Sequence, residues 1–310
     1  MIVAAGLSPA WQQILEFDAF TVGEVNRARQ AVWCSSGKVL NVGLALGHLG
    51  APSTTVALVG GAPSEAIERE FADLGFARRW VTAFRPTRAC TTLLDRATGQ
   101  TTELVENATA VTAEELTEFR QQYAEVAATA KLRVLSGSLP PGTPPTFYRE
   151  LLQAAPGTAI LDARGPELLA ALEERPLLVK PNREELARTV GRPLAEEADL
   201  WRAMREIVER GAAWIVVTHG SGEIFGANDR ESYCWTPVRV PTVNPIGCGD
   251  CLAAGVAVAL AEGLDVPAAV AFGIAAAADN AAQLLPGRLD RQRIERLERQ
   301  VSIERLANRG

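Results

Sequence analysis

Apolar residues along the chain fall into two rhythms. Short, nearly continuous apolar runs occupy Met1–Leu7, Thr54–Val59, Leu132–Ser136, Ala159–Asp162, Leu177–Val179 and Trp214–Thr218. Between them, residues 39–46, 64–74, 113–129, 144–154, 166–173, 183–190 and 198–210 carry apolar positions at helical spacing. Strands buried on both faces, alternating with helices, predict a doubly wound α/β fold with helices in layers on either side of a mostly parallel sheet. Two stretches break the rhythm. Residues 14–34, around Gly23, and residues 87–105, around a hairpin turn at Ala97-Thr98-Gly99-Gln100, alternate apolar and polar residues. Such alternation predicts half-buried strands, and together they form a small flap outside the core. A β segment at 224–240 and a closing helix near 265–284 complete the pattern.

The rest of the chain is organised around Val243-Asn244-Pro245-Ile246-Gly247-Cys248-Gly249-Asp250, which runs into the apolar stretch Cys251–Leu260. Proline and two glycines predict a tight loop, and the unbroken small apolar residues predict a buried helix. A helix start leaves N–H groups without intrahelical partners, and the helix dipole makes that end attractive to anions. A carboxylate there is an ordinary cap, or it is a base that takes a hydroxyl proton while the amides hold a transferring phosphoryl group. Ser136, Asp162, Lys180, Thr218 and the loop before Asp250 all fall at carboxyl ends of predicted strands, where ligands sit in open α/β sheets.

Composition narrows the field. The 310 residues are 47% hydrophobic and carry a net charge of −6, enough for one large α/β domain. No basic face dominates, which argues against a nucleic-acid partner. The start carries no basic leader, and no apolar run approaches membrane length, so the expectation is a cytoplasmic protein without a membrane partner. Five scattered cysteines do not suggest a disulfide framework. Cys248 and Cys251 match a Cys-x-x-Cys spacing, but no second pair exists and only His48 and His219 are available, which argues against a metal or redox site.

Neither common nucleotide signature is present. Gly37-Lys38 lacks the upstream glycine of a P-loop and is followed by Val39, and no Gly-x-Gly-x-x-Gly follows the first strand. Lys180-Pro181-Asn182-Arg183-Glu184-Glu185 ends a strand and opens a helix. Asn182 and Glu185 there read as a capping box, or as oxygen groups organising magnesium and its water shell. Val217-Thr218-His219-Gly220-Ser221-Gly222 and Ser136-Gly137-Ser138-Leu139-Pro140-Pro141-Gly142 are strand-end turns, ordinary loop chemistry when taken singly.

Taken together and in this order, these segments resemble the ribokinase-like (PfkB) carbohydrate kinases over nearly the whole chain. They are most similar to the 1-phosphofructokinase and tagatose-6-phosphate kinase branch. The resemblance rests on Val22-Gly23-Glu24-Val25-Asn26-Arg27, Gly37-Lys38-x-x-Asn41-Val42, Thr87-Arg88, the Ser136 turn, Lys180-Pro181-Asn182-x-x-Glu185-Leu186, Asn244–Asp250 and Asn280. It implies a single ribokinase-like domain over 1–310, with a β-sheet lid made of about 11–36 and 87–107 and the α/β core from the remainder. It further implies an ATP-dependent kinase that uses magnesium and dimerises through its lid. Asp250 would be the base, and Gly247, Cys248 and Gly249 would form the anion hole. Lys180, Asn182, Thr218, Gly220, Gly222 and Asn280 would serve the nucleotide. Asn182 and Glu185 would organise the metal through water. Gln12, Gly37, Lys38 and Asn41 would meet the sugar, and Arg88 and Ser138 its existing phosphate, with Arg27 or Lys38 assisting.

The chain departs from the family pattern at the sugar end. Gln12 stands where the family's Asn-Pro-Ala-hydrophobic-Asp places a sugar-gripping aspartate. Ser36 and Val39 replace glycines, and Gly222 comes one position early. The expected reaction is transfer of the γ-phosphoryl of ATP to a phosphorylated ketohexose, of the fructose-1-phosphate, fructose-6-phosphate or tagatose-6-phosphate type. The alternatives are a same-fold kinase with another acceptor, such as an unphosphorylated sugar or nucleoside, and a non-catalytic sugar or nucleotide sensor.

Overall fold

Strand β1 (Ile2–Gly6) is buried along its whole length, with Val3 and Ala5 in one apolar cluster and Ile2 and Ala4 in the other. Helices therefore cover both faces of the sheet, as the continuous apolar runs require. The structure, a computed structural model, describes residues 1–307. After β1 come β2 (Ala10–Phe17), β3 (Gln30–Ser36), α1 (Lys38–His48), β4 (Ser53–Val59), α2 (Ala62–Asp73) and β5 (Arg78–Thr82). Then follow β6 (Arg88–Asp95), β7 (Gln100–Val105), α3 (Ala113–Ala127), β8 (Leu132–Ser136), α4 (Phe147–Ala154), β9 (Thr158–Asp162), α5 (Gly165–Ala171) and β10 (Leu178–Val179). The last part holds α6 (Arg183–Val190), α7 (Glu197–Glu209), β11 (Trp214–Val217), β12 (Ile224–Ala227), β13 (Ser232–Thr236), α8 (Cys248–Ala261), α9 (Val266–Ala281), α10 (Arg291–Glu298) and β14 (Ser302–Leu306).

The large sheet has ten strands in the order β14-β13-β12-β11-β10-β9-β8-β1-β4-β5. Pairing is parallel from β5 to β11 and antiparallel from β11 to β14. One face packs against α3 to α7, through residues such as Phe119, Tyr148, Leu186 and Met204. The other packs against α1, α8, α9 and α10. Helices α8 and α9 lie against each other through Gly255 and Gly273. A Cβ on Gly255 would stand 2.8 Å from the Gly273 Cα. This close approach holds α8, and the loop that opens it, in a fixed position over the strand ends.

The small sheet, β3-β2-β6-β7, stands apart from the large one. It is mixed: β2 runs parallel to β6, while the outer pairs are antiparallel. Strand β2 begins at Ala10 rather than near residue 14, which puts Gln12 on the sheet. The register sets which residues share a face. Val32 pairs with Ile14 and packs with Ile14, Cys34 and Leu94 beneath the sheet. The neighbouring parity exposes Trp33, with Leu104 on the same outer face.

Three elements were not expected from the pattern. In β5 only Val81 is buried and two arginines precede it, as suits an edge strand. Helix α10 buries only Ile294, and β14 is an exposed edge strand that carries Glu304 and Arg305. Among the described residues, no helix is long and apolar enough to cross a membrane.

Candidate active site

The carboxyl ends of the parallel strands and the inner face of the small sheet enclose a cleft of about 1150 Å³. The small sheet contributes Gln12, Arg88, Cys90 and Glu103; the large sheet contributes Asp162, Lys180 and Thr218; and the loop into α8 contributes Pro245 to Asp250. Gln12 and Asp250, 238 positions apart in the chain, thus meet at one end of the sheet, where a doubly wound topology leaves room for ligands.

Asp250 sits in the first turn of α8, buried, and its carboxylate accepts a hydrogen bond from the Asn41 amide at 2.7 Å. Burial, together with the nearby Asp162 charge, pushes Asp250 up to about 7, against the opposing pull of Lys38, the Asn41 hydrogen bond and Lys180. A carboxyl tuned to that range is suited to taking a proton near neutral pH. Gly247 caps α8 with φ of 83°, a conformation that a side chain strains, and a Cβ there would come within 2.9 Å of Pro286. The Cys248 N–H donates to the Pro245 carbonyl at 3.3 Å, and the Gly247 and Gly249 N–H groups have no backbone acceptor among the described residues. Burial raises the Cys248 thiol, so it stays protonated and adds no negative charge to this turn.

Cations converge on the same place. The Lys180 ammonium lies 3.4 Å from Asp162 and 3.4 Å from where a Cβ of Gly249 would stand, so Gly249 leaves room for it over the turn. The Lys38 ammonium pairs with Asp162 at 3.0 Å and Glu185 at 3.3 Å. Burial disfavours this charge, but Asp162, Glu185 and Asp250 together hold it well above the usual lysine value. Asp162 is buried too, and Lys180 and Lys38 keep it below the ordinary carboxylate range. Asn182 and Glu185 form the reciprocal capping box of α6: the Asn182 side chain accepts from the Glu185 N–H at 2.8 Å, and the Glu185 carboxylate from the Asn182 N–H at 3.0 Å. The second carboxylate oxygen of Glu185 is the one that faces Lys38.

Apolar residues also line the cleft: Ile224, Val238, Val240, Leu252, Ile274 and Ala278, together with Thr218, Gly220 and Ser221, surfaces suited to a flat aromatic base. None of these apolar residues was singled out in the sequence. Those on elements, Ile224 on β12, Leu252 on α8 and Ile274 and Ala278 on α9, read the same as core.

Most of the expected residues come together: Gln12, Gly37, Lys38, Asn41, Arg88, Lys180, Asn182, Glu185, Thr218, Gly220 and 247–250 all line the cleft. Four stand elsewhere. Ser138 lines a smaller adjoining cavity. Gly222 lies in the turn after Thr218, where its N–H donates to His219. Arg27 lies on an exposed stretch between β2 and β3. Asn280 is fully buried. Its amide donates to the Ile246 carbonyl and its oxygen accepts from the Gly287 N–H, so it pins the glycine turn and does not face the cleft. Glu103 and Arg164 were missed as site residues, and Asp162 was placed at a ligand-side strand end without a role. A carboxylate at a strand end has no distinguishing pattern until its lysine partners are known.

Solved structures share this architecture. Phosphofructokinase-2 from Escherichia coli in complex with fructose-6-phosphate is 27% identical, with a TM-score of 0.86 over 97% of this chain and 99% of that chain. Its tetrameric inhibited form matches with the same identity and TM-score over 96% and 98%. A possible 1-phosphofructokinase from Thermotoga maritima, 22% identical, shares the fold with a TM-score of 0.91 over 99% and 100%. Residues 10–284 match the pfkB family carbohydrate kinases, a span that holds the cleft, the glycine turn and Asp250. The chain belongs to that family and is an ATP-dependent carbohydrate kinase.

Proposed function

We propose that the acceptor is a phosphorylated ketohexose and that Asp250 takes the proton of its reacting hydroxyl as the γ-phosphoryl of ATP arrives. The observation that carries this reading is Arg88. Its guanidinium faces the cleft, donates only to the carbonyls of Pro9 and Glu106, and has no carboxylate partner among the described residues. A guanidinium left in this state in a cleft suits a phosphate ester, which it grips through paired, charge-assisted hydrogen bonds. The bound fructose-6-phosphate of the 27%-identical phosphofructokinase-2 supports the same class of acceptor.

The reacting hydroxyl passes its proton to Asp250 as its oxygen bonds to the γ-phosphorus and the bond to ADP breaks, and Asn41 holds that carboxylate in place. The Gly247 and Gly249 amides and the Lys180 ammonium stabilise charge on the transferring group. Lys38 holds Asp162 and Glu185 in position. Magnesium fits the donors present. No group of three or more His, Cys, Asp or Glu among the described residues could hold a metal unaided, and this ion binds through one or two carboxylates plus substrate phosphates and water. Glu185, with Asn182 beside it, would hold it through water, and the ion would shield phosphate charge.

One observation favours the second reading, an altered acceptor. The Gln12 amide donates to the Thr92 hydroxyl at 2.6 Å, so the residue in the aspartate's place is tied to the small sheet instead of offering a charge to the sugar. We place the protein in the cytoplasm as a homodimer. Its five free cysteines, four of them buried, agree with a reducing compartment. An acceptor panel with ATP and magnesium, reading ADP release, tests the assignment. The ketohexose monophosphates should lead; free sugars or nucleosides outperforming all of them would replace this reading with the second.

A further inference from the structure

A second cavity of about 120 Å³ opens beside the cleft and shares Lys38, Arg88, Asp162 and Glu185 with it. Its remaining wall holds Ser8, Gly137, Ser138 and Arg164, from the carboxyl ends of β1, β8 and β9. Strand order switches sides here: from β1 the chain goes on to β4 on one side and later to β8 on the other, all three parallel. Such a switch point leaves a crevice that open α/β sheets use for ligands. The Ser8 hydroxyl is buried, and it has no hydrogen-bond partner among the described residues. Arg164 is half exposed, and its nearest carboxylate oxygen, on Glu185, is 4.0 Å away. Lys38, by contrast, is held closely by Asp162 and Glu185.

Charge defines what the cavity lacks. Lys38, Arg88 and Arg164 line it against the carboxylates of Asp162 and Glu185, so the lining carries one cation in excess. A phosphate monoester, anionic at neutral pH, would balance that excess.

We infer that Arg164 and Ser8 are acceptor-binding residues that hold the phosphate the acceptor already carries, facing Arg88 and Ser138 across this cavity. The inference deepens the proposed function and rests on its phosphorylated acceptor. Arg164 makes no side-chain cap on α5, so its removal leaves the local backbone bonds in place.

The test compares wild type, Arg164→Ala, Arg164→Lys, Ser8→Ala and Arg88→Ala. Inorganic phosphate affinity is measured by calorimetry, and kcat and KM with the best sugar phosphate and with ATP. Arg164→Ala should weaken inorganic phosphate and raise sugar-phosphate KM by about 10- to 100-fold, the scale of a lost charge-assisted hydrogen bond. The KM for ATP and the melting temperature should stay unchanged. Arg164→Lys should recover part of the loss, and Ser8→Ala should show a smaller change in the same direction. If Arg88→Ala raises the sugar-phosphate KM while Arg164→Ala changes neither KM nor phosphate affinity, this inference fails and the proposed function stands. If wild type shows no preference for phosphorylated acceptors, both fall.

Discussion

Asp250 combines burial with a charge that catalysis needs. The same surroundings that lift it to about 7 make its ionised form costly, so two measurements should move in opposite directions. Asp250→Asn should lower kcat by roughly 10²–10⁴-fold, the usual cost of losing a general base, while ATP binding persists. In wild type, kcat/KM should fall as pH drops below about 7, where the base becomes protonated. Stability should respond the other way. Because the folded value lies above the ordinary 3.8, the stability linked to this group is fully present below that pH and is lost as pH rises through 7. The displacement corresponds to on the order of 4 kcal/mol. Asp250→Asn should therefore melt higher than wild type at pH 8, and the two should converge near pH 4. Equal melting temperatures at both pH values would show that the carboxylate is not strained in the fold.

Residue roles were readable where the residue type is unusual for its local setting. An aspartate beside Gly-x-Gly at a helix start, and a lysine in a chain with only three of them, stood out in the sequence. Glu103 and Arg164 did not, and Asp162 stood out by position only, because its role depends on partners far away along the chain: Lys38 is 124 positions from Asp162. Arg88 was readable, and its test follows from a guanidinium that has no carboxylate partner among the described residues. Arg88→Ala should raise the sugar-phosphate KM by one to three orders of magnitude, on the order of 1.5–4 kcal/mol, with little change in the KM for ATP. A silent substitution would remove the main support for a phosphorylated acceptor.

Among the elements, α8 depends on α9. Gly255 and Gly273 let the two helices approach closely, and Asn280 on α9 ties down the loop that precedes α8 through the Ile246 carbonyl and Gly287. Gly255→Val should overpack this contact and destabilise by about 1–3 kcal/mol, seen as a lower denaturation midpoint. Asn280→Ala should lower kcat more than it raises the KM for ATP, since it loosens the turn and leaves the base slot intact. A rise confined to the KM for ATP would return Asn280 to the nucleotide. The α/β elements themselves were legible because double-sided burial writes continuous apolar runs. Edge elements such as β5, α10 and β14 bury too little to leave that mark, and helix α9 hides its cleft-facing residues among equally small core residues.

On the scale of the whole molecule, the small sheet sets the question of assembly. Its inner face is accounted for by the cleft and by the Ile14, Cys34 and Leu94 cluster. Its outer face carries Trp33, 48% exposed and stacked on Trp11, and Leu104, 55% exposed; Val22 and Val25, on the stretch joining β2 to β3, are exposed above 80%. A four-stranded sheet is thin, and apolar groups on its wet face stabilise nothing until another surface covers them. A second copy is the simplest cover, because a two-fold contact lets the same patch serve both partners. The expected state is a homodimer joined through these sheets at micromolar concentration, measured by sedimentation. Trp33→Glu together with Leu104→Glu should give monomers that keep the melting temperature of the large-sheet core to within a few degrees. Arg27 lies on the same exposed stretch as Val22 and Val25, so the pairing would also cover a cation that the single chain leaves in water. A wild-type monomer across the micromolar range, or a dimer that survives both glutamates, would move the contact away from the small sheet.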